Sequence, residues 1–142
     1  ASVGFWAPMD QHHAVLYWRE VMQGMVQQSR VLLVAEDGGE VVGSVQLVLS
    51  DRQNGHHRAE ITKLMVRTSH RGHGLGRALL AAAHVEARFR GRTLLILDTR
   101  TGDAGERLYE SMGYTRAGEI PCYTIQPDGA RQGTTIFYHV LP

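Results

Sequence analysis

The chain has a single cysteine, Cys122, among its 142 residues, so no intrachain disulfide can form and a reducing compartment, the cytoplasm, is its expected home. It has almost no net charge. Fifteen Lys and Arg against fourteen Asp and Glu leave +1, which gives no general attraction to nucleic acid or an anionic membrane. No apolar run approaches the roughly 20 residues of a membrane span, and no signal peptide is legible. Repeats and low-complexity stretches are missing too. The eight histidines form no metal-ligand pattern: His12-His13 and His56-His57 are adjacent pairs in polar context. Neighbouring residues rarely aim at one ion, and no carboxylate or cysteine cluster follows them, so no metal is expected.

A hydrophobic content of 43% with 20% charged residues is ordinary for one globular domain of this length. Asp10 is placed to cap a helix running to about Gln28. Strands are expected over Arg30–Glu36, Val41–Ser50 and Ala59–Val66, with turns at Asp37-Gly38-Gly39 and around Asn54-Gly55. A helix follows to about Arg90, with Ala78, Ala82, Val85 and Phe89 as its apolar stripe. Thr93–Leu97 reads as a short strand buried on both faces. Asp103–Met112 reads as a second helix closed by Gly113. Strands over Tyr114–Ile125, interrupted near Pro121, and Thr134–Leu141 complete the order. A helix joining two neighbouring strands within an otherwise antiparallel series predicts a mixed α/β sheet flanked by helices.

The most informative segment is Arg71-Gly72-His73-Gly74-Leu75-Gly76, between an apolar strand and a helix. Glycines at a helix mouth let a ligand approach the backbone, whose N–H groups sit at the positive end of the helix dipole. Such a place suits a phosphate or pyrophosphate. A Walker loop would continue with Gly-Lys-Ser/Thr, but Gly76 is followed by Arg77-Ala78. A dinucleotide fingerprint fits less well, because Arg77 stands where its third glycine belongs.

Arg71-x-x-Gly74-x-Gly76 after Leu64-Met65-Val66, with Arg107-Leu108-Tyr109-Glu110-Ser111-Met112-Gly113-Tyr114 further on, resembles the two signatures of the GCN5-related N-acetyltransferase (GNAT) superfamily. The resemblance runs from about Ser29 to the C-terminus. A finer resemblance, to tabtoxin-resistance acetyltransferases, rests on Ala1-Ser2-Val3-Gly4-Phe5, Gln53-Asn54-Gly55, Arg58-Ala59-Glu60, Lys63-Leu64-Met65-Val66, Leu97-Asp98-Thr99, Tyr114-Thr115-Arg116 and Pro127-Asp128-Gly129.

The superfamily resemblance implies the acyl-CoA N-acyltransferase fold and acetyl-CoA as cosubstrate, with no metal. It places the pantetheine arm beside Leu64, Met65 and Val66, and the pyrophosphate on Arg71, Gly72, His73, Gly74, Leu75, Gly76 and Arg77. Tyr109 then falls at the position of the general acid that protonates the leaving sulfur. The usual first strand and helix are not legible and the chain opens on Ala1, so a native N-terminal segment is expected to be missing. A homodimer is a common state in the superfamily.

From the residues themselves, Glu60 is the candidate general base. Strand alternation would set Glu60, Thr62, Leu64 and Val66 on one face. Asp98, at the end of an apolar strand, is placed to hold an ammonium or share the base role. Phe5, Trp6 and Trp18 could line an acceptor pocket or simply pack. Where many superfamily members carry an asparagine seven residues before the tyrosine, this chain has Gly102. The acceptor implied is a small-molecule amine, toxin or antibiotic; a protein or peptide amine and a non-catalytic acyl-CoA binding module are the alternatives.

Overall fold

The computed structural model describes residues 4–142. The Ala1-Ser2-Val3 part of the finer resemblance lies outside them. Helix α1 spans Gln11–Val26; the Asp10 side chain accepts from the His12 N–H at its start. Strands β1 (Arg30–Asp37), β2 (Glu40–Leu49) and β3 (Arg58–Val66) form an antiparallel meander. Helix α2 (Leu75–Phe89) crosses over to β4 (Leu94–Arg100), which lies parallel to β3. Helix α3 (Gly105–Ser111), β5 (Thr115–Ile125) and β6 (Arg131–Val140) follow. The sheet order is β1-β2-β3-β4-β6-β5, a mixed six-stranded sheet with β3–β4 as its parallel pair.

Alternation along the strands assigns the two faces. On one face Val45, Leu47, Ile61, Leu95, Leu97 and Phe137 are buried under α2 and α3. On the other, Gln46 is wholly buried beneath α1, accepting from Arg30 Nη1 (2.7 Å) and donating to the Tyr17 hydroxyl (2.8 Å). No helix of the described residues is long and apolar enough to cross a membrane.

Expectations for three elements are corrected. Helix α2 buries Leu79, Leu80, Ala83, His84 and Ala87, not the Ala78–Phe89 stripe; Val85 and Phe89 are 64% and 85% exposed. This helix is apolar on most of its surface, so periodicity alone does not choose its inner face. The small Ala83 and Ala87 face the sheet, where they permit close approach. Strand β4 continues to Arg100, so Asp98 is an internal residue and not the strand's end. The strand is also one-sided: Leu95, Leu97 and Thr99 are buried, while Leu94 and Ile96 are half-buried.

The third correction concerns β3. Lys63 has a left-handed backbone (φ 54°), and the β2–β3 register shifts between Ser44 and Gln46. The extra residue turns the chain over. Glu60 and Thr62, opposite Val48 and Gln46, lie on the α1 face, whereas Leu64 and Val66 pack into the core under α2. The four residues therefore do not share a face.

Candidate active site

Strands β3 and β4 pair only from Arg58–Leu94 to Glu60–Ile96. Beyond that point β3 stays with β2, and β4 stays with β6. The wedge between them opens into a cavity of about 580 Å³. Its walls include the glycine loop, Leu64 and Val66 of β3, Tyr109 of α3, and Glu60 and Asp98; Gly4, Tyr123 and Thr124 also line it. Because the sheet is split here, the cavity has access to both faces. Tyr109 approaches from the α3 side, and Glu60 and Asp98 from the α1 side.

The loop between β3 and α2 forms the far wall. Gly72 (φ 78°) and Gly74 (φ 81°) adopt a backbone that non-glycine residues enter only with strain. A Cβ built on either would stand in open space. The cradle is therefore roomy and backbone-lined, and it sits at the first turn of α2, where N–H groups have no intrahelical acceptor. Arg71 lines the cavity, its Nε donating to the Val66 carbonyl (3.1 Å). These features fit a diphosphate.

Not every loop residue joins in. Arg77 turns toward α3, with Nη2 donating to Ser111 Oγ (2.7 Å) and Nη1 to Met112 Sδ (3.1 Å). The His73 ring bonds to the Arg71 carbonyl (2.9 Å) outside the cavity lining. Met65, opposite Ser44 on the α1 face, lines a separate shallow groove with Val42 and Gly43. Arg77 and His73 thus bring no side chain to the cradle, because each already meets a nearer partner.

Tyr109 is 8% exposed. Its ring meets those of Tyr114 and Phe137 at centroid distances of 5.8 and 5.9 Å. Burial first, then the negative charges of Asp103 and Asp98, push its phenol up to about 12. Such a group keeps its proton throughout the physiological range. Gly105 lies close under the ring; a Cβ there would be 3.3 Å from Tyr109 Cε2. Gly102 has its N–H directed at Glu106 Oε1 (3.2 Å), and Glu106 also accepts from Thr135 Oγ1 (2.8 Å).

Glu60 and Asp98 share the α1 face, since Glu60 is in register with Ile96, two residues before Asp98. Burial and, next, the charge of Asp98 raise the Glu60 carboxyl above the ordinary carboxylate value; Lys63 and Arg30 act in the opposite sense. Asp98 Oδ2 accepts from Thr134 Oγ1 (2.9 Å). Lys63 Nζ lies 5.0 Å from the Phe5 ring centroid and 5.9 Å from that of Tyr17. Trp6 bonds through Nε1 to the Ile125 carbonyl (2.8 Å), tying the N-terminal segment to β5; Trp18 packs edge-on to Tyr17. Sequence reasoning missed Lys63 and Thr134. Lys63 stands in a quoted segment but was given no role, Thr134 stands in none, and both acquire their places from a bulge and a strand register. No group of three or more potential metal ligands occurs among the described residues.

Comparison with known proteins agrees with this architecture. The acetyltransferase (GNAT) domain family matches residues 28–116, and the chain belongs to that family. N-acetyltransferase 8 of Rattus norvegicus is 38% identical over 88 residues, 61% of this chain and 40% of that protein. An uncharacterized N-acetyltransferase of Azospirillum brasilense is 37% identical over 99 residues, 68% of this chain and 57% of that protein. The matched region thus spans about two fifths of the rat relative and little more than half of the bacterial one. Among solved structures, the putative acetyltransferase yncA of Salmonella typhimurium, determined with acetyl-CoA, superposes with a TM-score of 0.79 at 25% identity, covering 97% of this chain and 79% of that one. The ribosomal-protein-alanine N-acetyltransferase of Brucella melitensis has the same fold, with a TM-score of 0.81 at 24% identity over 99% of this chain and 85% of that one.

Proposed function

We propose that this chain transfers the acetyl group of acetyl-CoA to the primary amine of a small molecule, by direct attack within a ternary complex. The observation that carries the reading is the split between β3 and β4. It sets a glycine cradle, a protonated buried phenol and two carboxylates around one cavity. Membership of the GNAT family supports acetyl-CoA as the cosubstrate.

Acetyl-CoA supplies the activated acyl group as a thioester. The amides of the Gly72–Gly76 segment and the Arg71 side chain would hold its diphosphate, and the β3 backbone beside Leu64 and Val66 would align its arm. A main-chain N–H near Met65 would polarise the carbonyl. On the α1 face, Glu60 and Asp98 receive the acceptor's ammonium, and one carboxylate takes its proton to free the nucleophile. From the opposite side of the split, Tyr109 would donate its phenolic proton to the departing sulfur, and the second proton of the attacking nitrogen, released as the amide forms, would restore the phenol. Base and acid thus act from opposite faces of the sheet, so a proton can be removed at one side while another is delivered at the other.

Gly4, Tyr123 and Thr124 line the same cavity as Glu60 and Asp98, a setting we read as suited to a small amine. The segments resembling tabtoxin-resistance enzymes point to a toxin or antibiotic amine. Thiol release from acetyl-CoA, followed with small amines, β-lactam dipeptide toxins, aminoglycosides and N-terminal peptides, tests the reading. Release with one small-amine class is expected. Release with peptides alone would replace the acceptor class, and cofactor binding without any release would reduce the chain to a binding module.

A further inference from the structure

The two carboxylates of the acceptor end differ in how they are held. Thr134, 3% exposed on β6, stands two residues from Ile136, the cross-strand partner of Asp98. This diagonal relation on one sheet face brings its Oγ1 to 2.9 Å from Asp98 Oδ2 and 3.0 Å from the Thr99 carbonyl. The hydroxyl has one proton and two acceptors. A carboxylate is the stronger acceptor, since a charge-assisted bond is about twice as strong as a neutral one. While Asp98 is ionised, the proton therefore points to it, and the bond fixes where the carboxylate stands. Glu60 faces Asp98 from β3, together with Lys63; Arg30 acts on Glu60 and Lys63 from β1, and Tyr109, with Asp103 before it, faces Asp98 from the α3 side.

We propose that Thr134 is a positioning residue that holds the Asp98 carboxylate in place as the anchor for the acceptor's ammonium, leaving Glu60 to take the proton. The inference rests on the acetyltransferase reading above. The step balances simply: the ammonium and the Glu60 carboxylate become a free amine and a carboxylic acid, with Asp98 unchanged. Burial and the neighbouring negative charge raise the Glu60 carboxyl above the ordinary value, the direction a proton acceptor needs.

Steady-state kinetics of Thr134→Val, Asp98→Asn, their double variant and Glu60→Gln test the division. Thr134→Val and Asp98→Asn should each raise KM for the amine about tenfold, the scale of a lost hydrogen bond to a charged group. The double variant should be no worse than Asp98→Asn. Thr134→Ser should restore the wild-type KM, and Glu60→Gln should lower kcat instead. Additive effects of the Thr134 and Asp98 changes, or an unchanged KM in folded Thr134→Val, would overturn the proposal. So would loss of the acid limb of the pH profile in Asp98→Asn with its survival in Glu60→Gln. If Thr134→Val does not fold, the contrast of Thr134→Ala with Thr134→Ser reads the same effect. A wild-type chain inactive on every amine would count against the acetyltransferase reading itself, a failure visible before any variant is made.

Discussion

His84 Nε2 of α2 and the Tyr114 hydroxyl lie 2.8 Å apart in the core, thirty residues apart in sequence. Tyr114 in turn meets the Tyr109 ring edge to face, so the helix that opens at the glycine loop is tied to the aromatic that carries the phenol. Burial, then His139 and Arg88, lower the His84 imidazole from 6.5 to about 4. The folded chain therefore binds fewer protons than the unfolded chain between those values. Stability is complete above about pH 6.5 and falls as pH drops toward 4, by about 3 kcal/mol from this group. Urea unfolding across this range should show that slope, and His84→Gln should flatten it relative to wild type.

Gly72 and Gly74 pair positive φ with open space at the Cβ position. Alanine at either position would therefore be strained but not blocked, at a cost of about 1–2 kcal/mol in stability. Each substitution should raise KM for acetyl-CoA, leaving kcat at saturating cofactor and KM for the amine near wild type. Calorimetric titration with acetyl-CoA checks the same loss without turnover.

Glu60 must be ionised to accept a proton. Its raised carboxyl places the acid limb of kcat/KM above the ordinary value of 4.5, and activity falls as pH drops through that limb. Glu60→Gln should remove the limb and lower kcat about 10²- to 10⁴-fold. Asp98→Asn should move the limb down, since the neighbouring charge is the second cause of the shift. Rates measured between pH 5 and 9 decide both points.

Arg92, 8% exposed, donates through Nη1 to the carbonyls of Ser50 (2.7 Å) and His56 (2.6 Å). It stitches the β2–β3 connection to the start of β4, the end of the sheet where β3 and β4 are still paired. Arg92→Met fills the volume but abandons buried carbonyls, and should cost about 3 kcal/mol in urea unfolding.

The element order, the parallel β3–β4 crossover and the glycine loop were legible because each has a local chemical signature. So was the placing of Tyr109 near Gly113-Tyr114. The inner face of α2 was not, because an alanine-rich helix offers apolar residues on several sides. The face of Leu64 and Val66 was missed because one left-handed residue, Lys63, breaks the period of two. The extent of β4 past Asp98 was hidden by the polar Thr99 and Arg100, which pair with Thr135 and Thr134 of β6. Arg77 reads as a phosphate ligand in one dimension, yet α3 offers Ser111 and Met112 in three. Thr134 belongs to no motif, and only the β4–β6 register brings it to Asp98.

The most direct measurement is single-turnover acetyl transfer by wild type and Tyr109→Phe, with acetyl-CoA affinity determined in parallel. The ring contacts of Tyr109 with Tyr114 and Phe137 survive the loss of one oxygen, so affinity and fold should hold. The rate of transfer should fall about 10²- to 10⁴-fold. A Tyr109→Phe chain that transfers acetyl at the wild-type rate would show that the leaving sulfur gets its proton elsewhere, and would contradict the central role given to the split between β3 and β4.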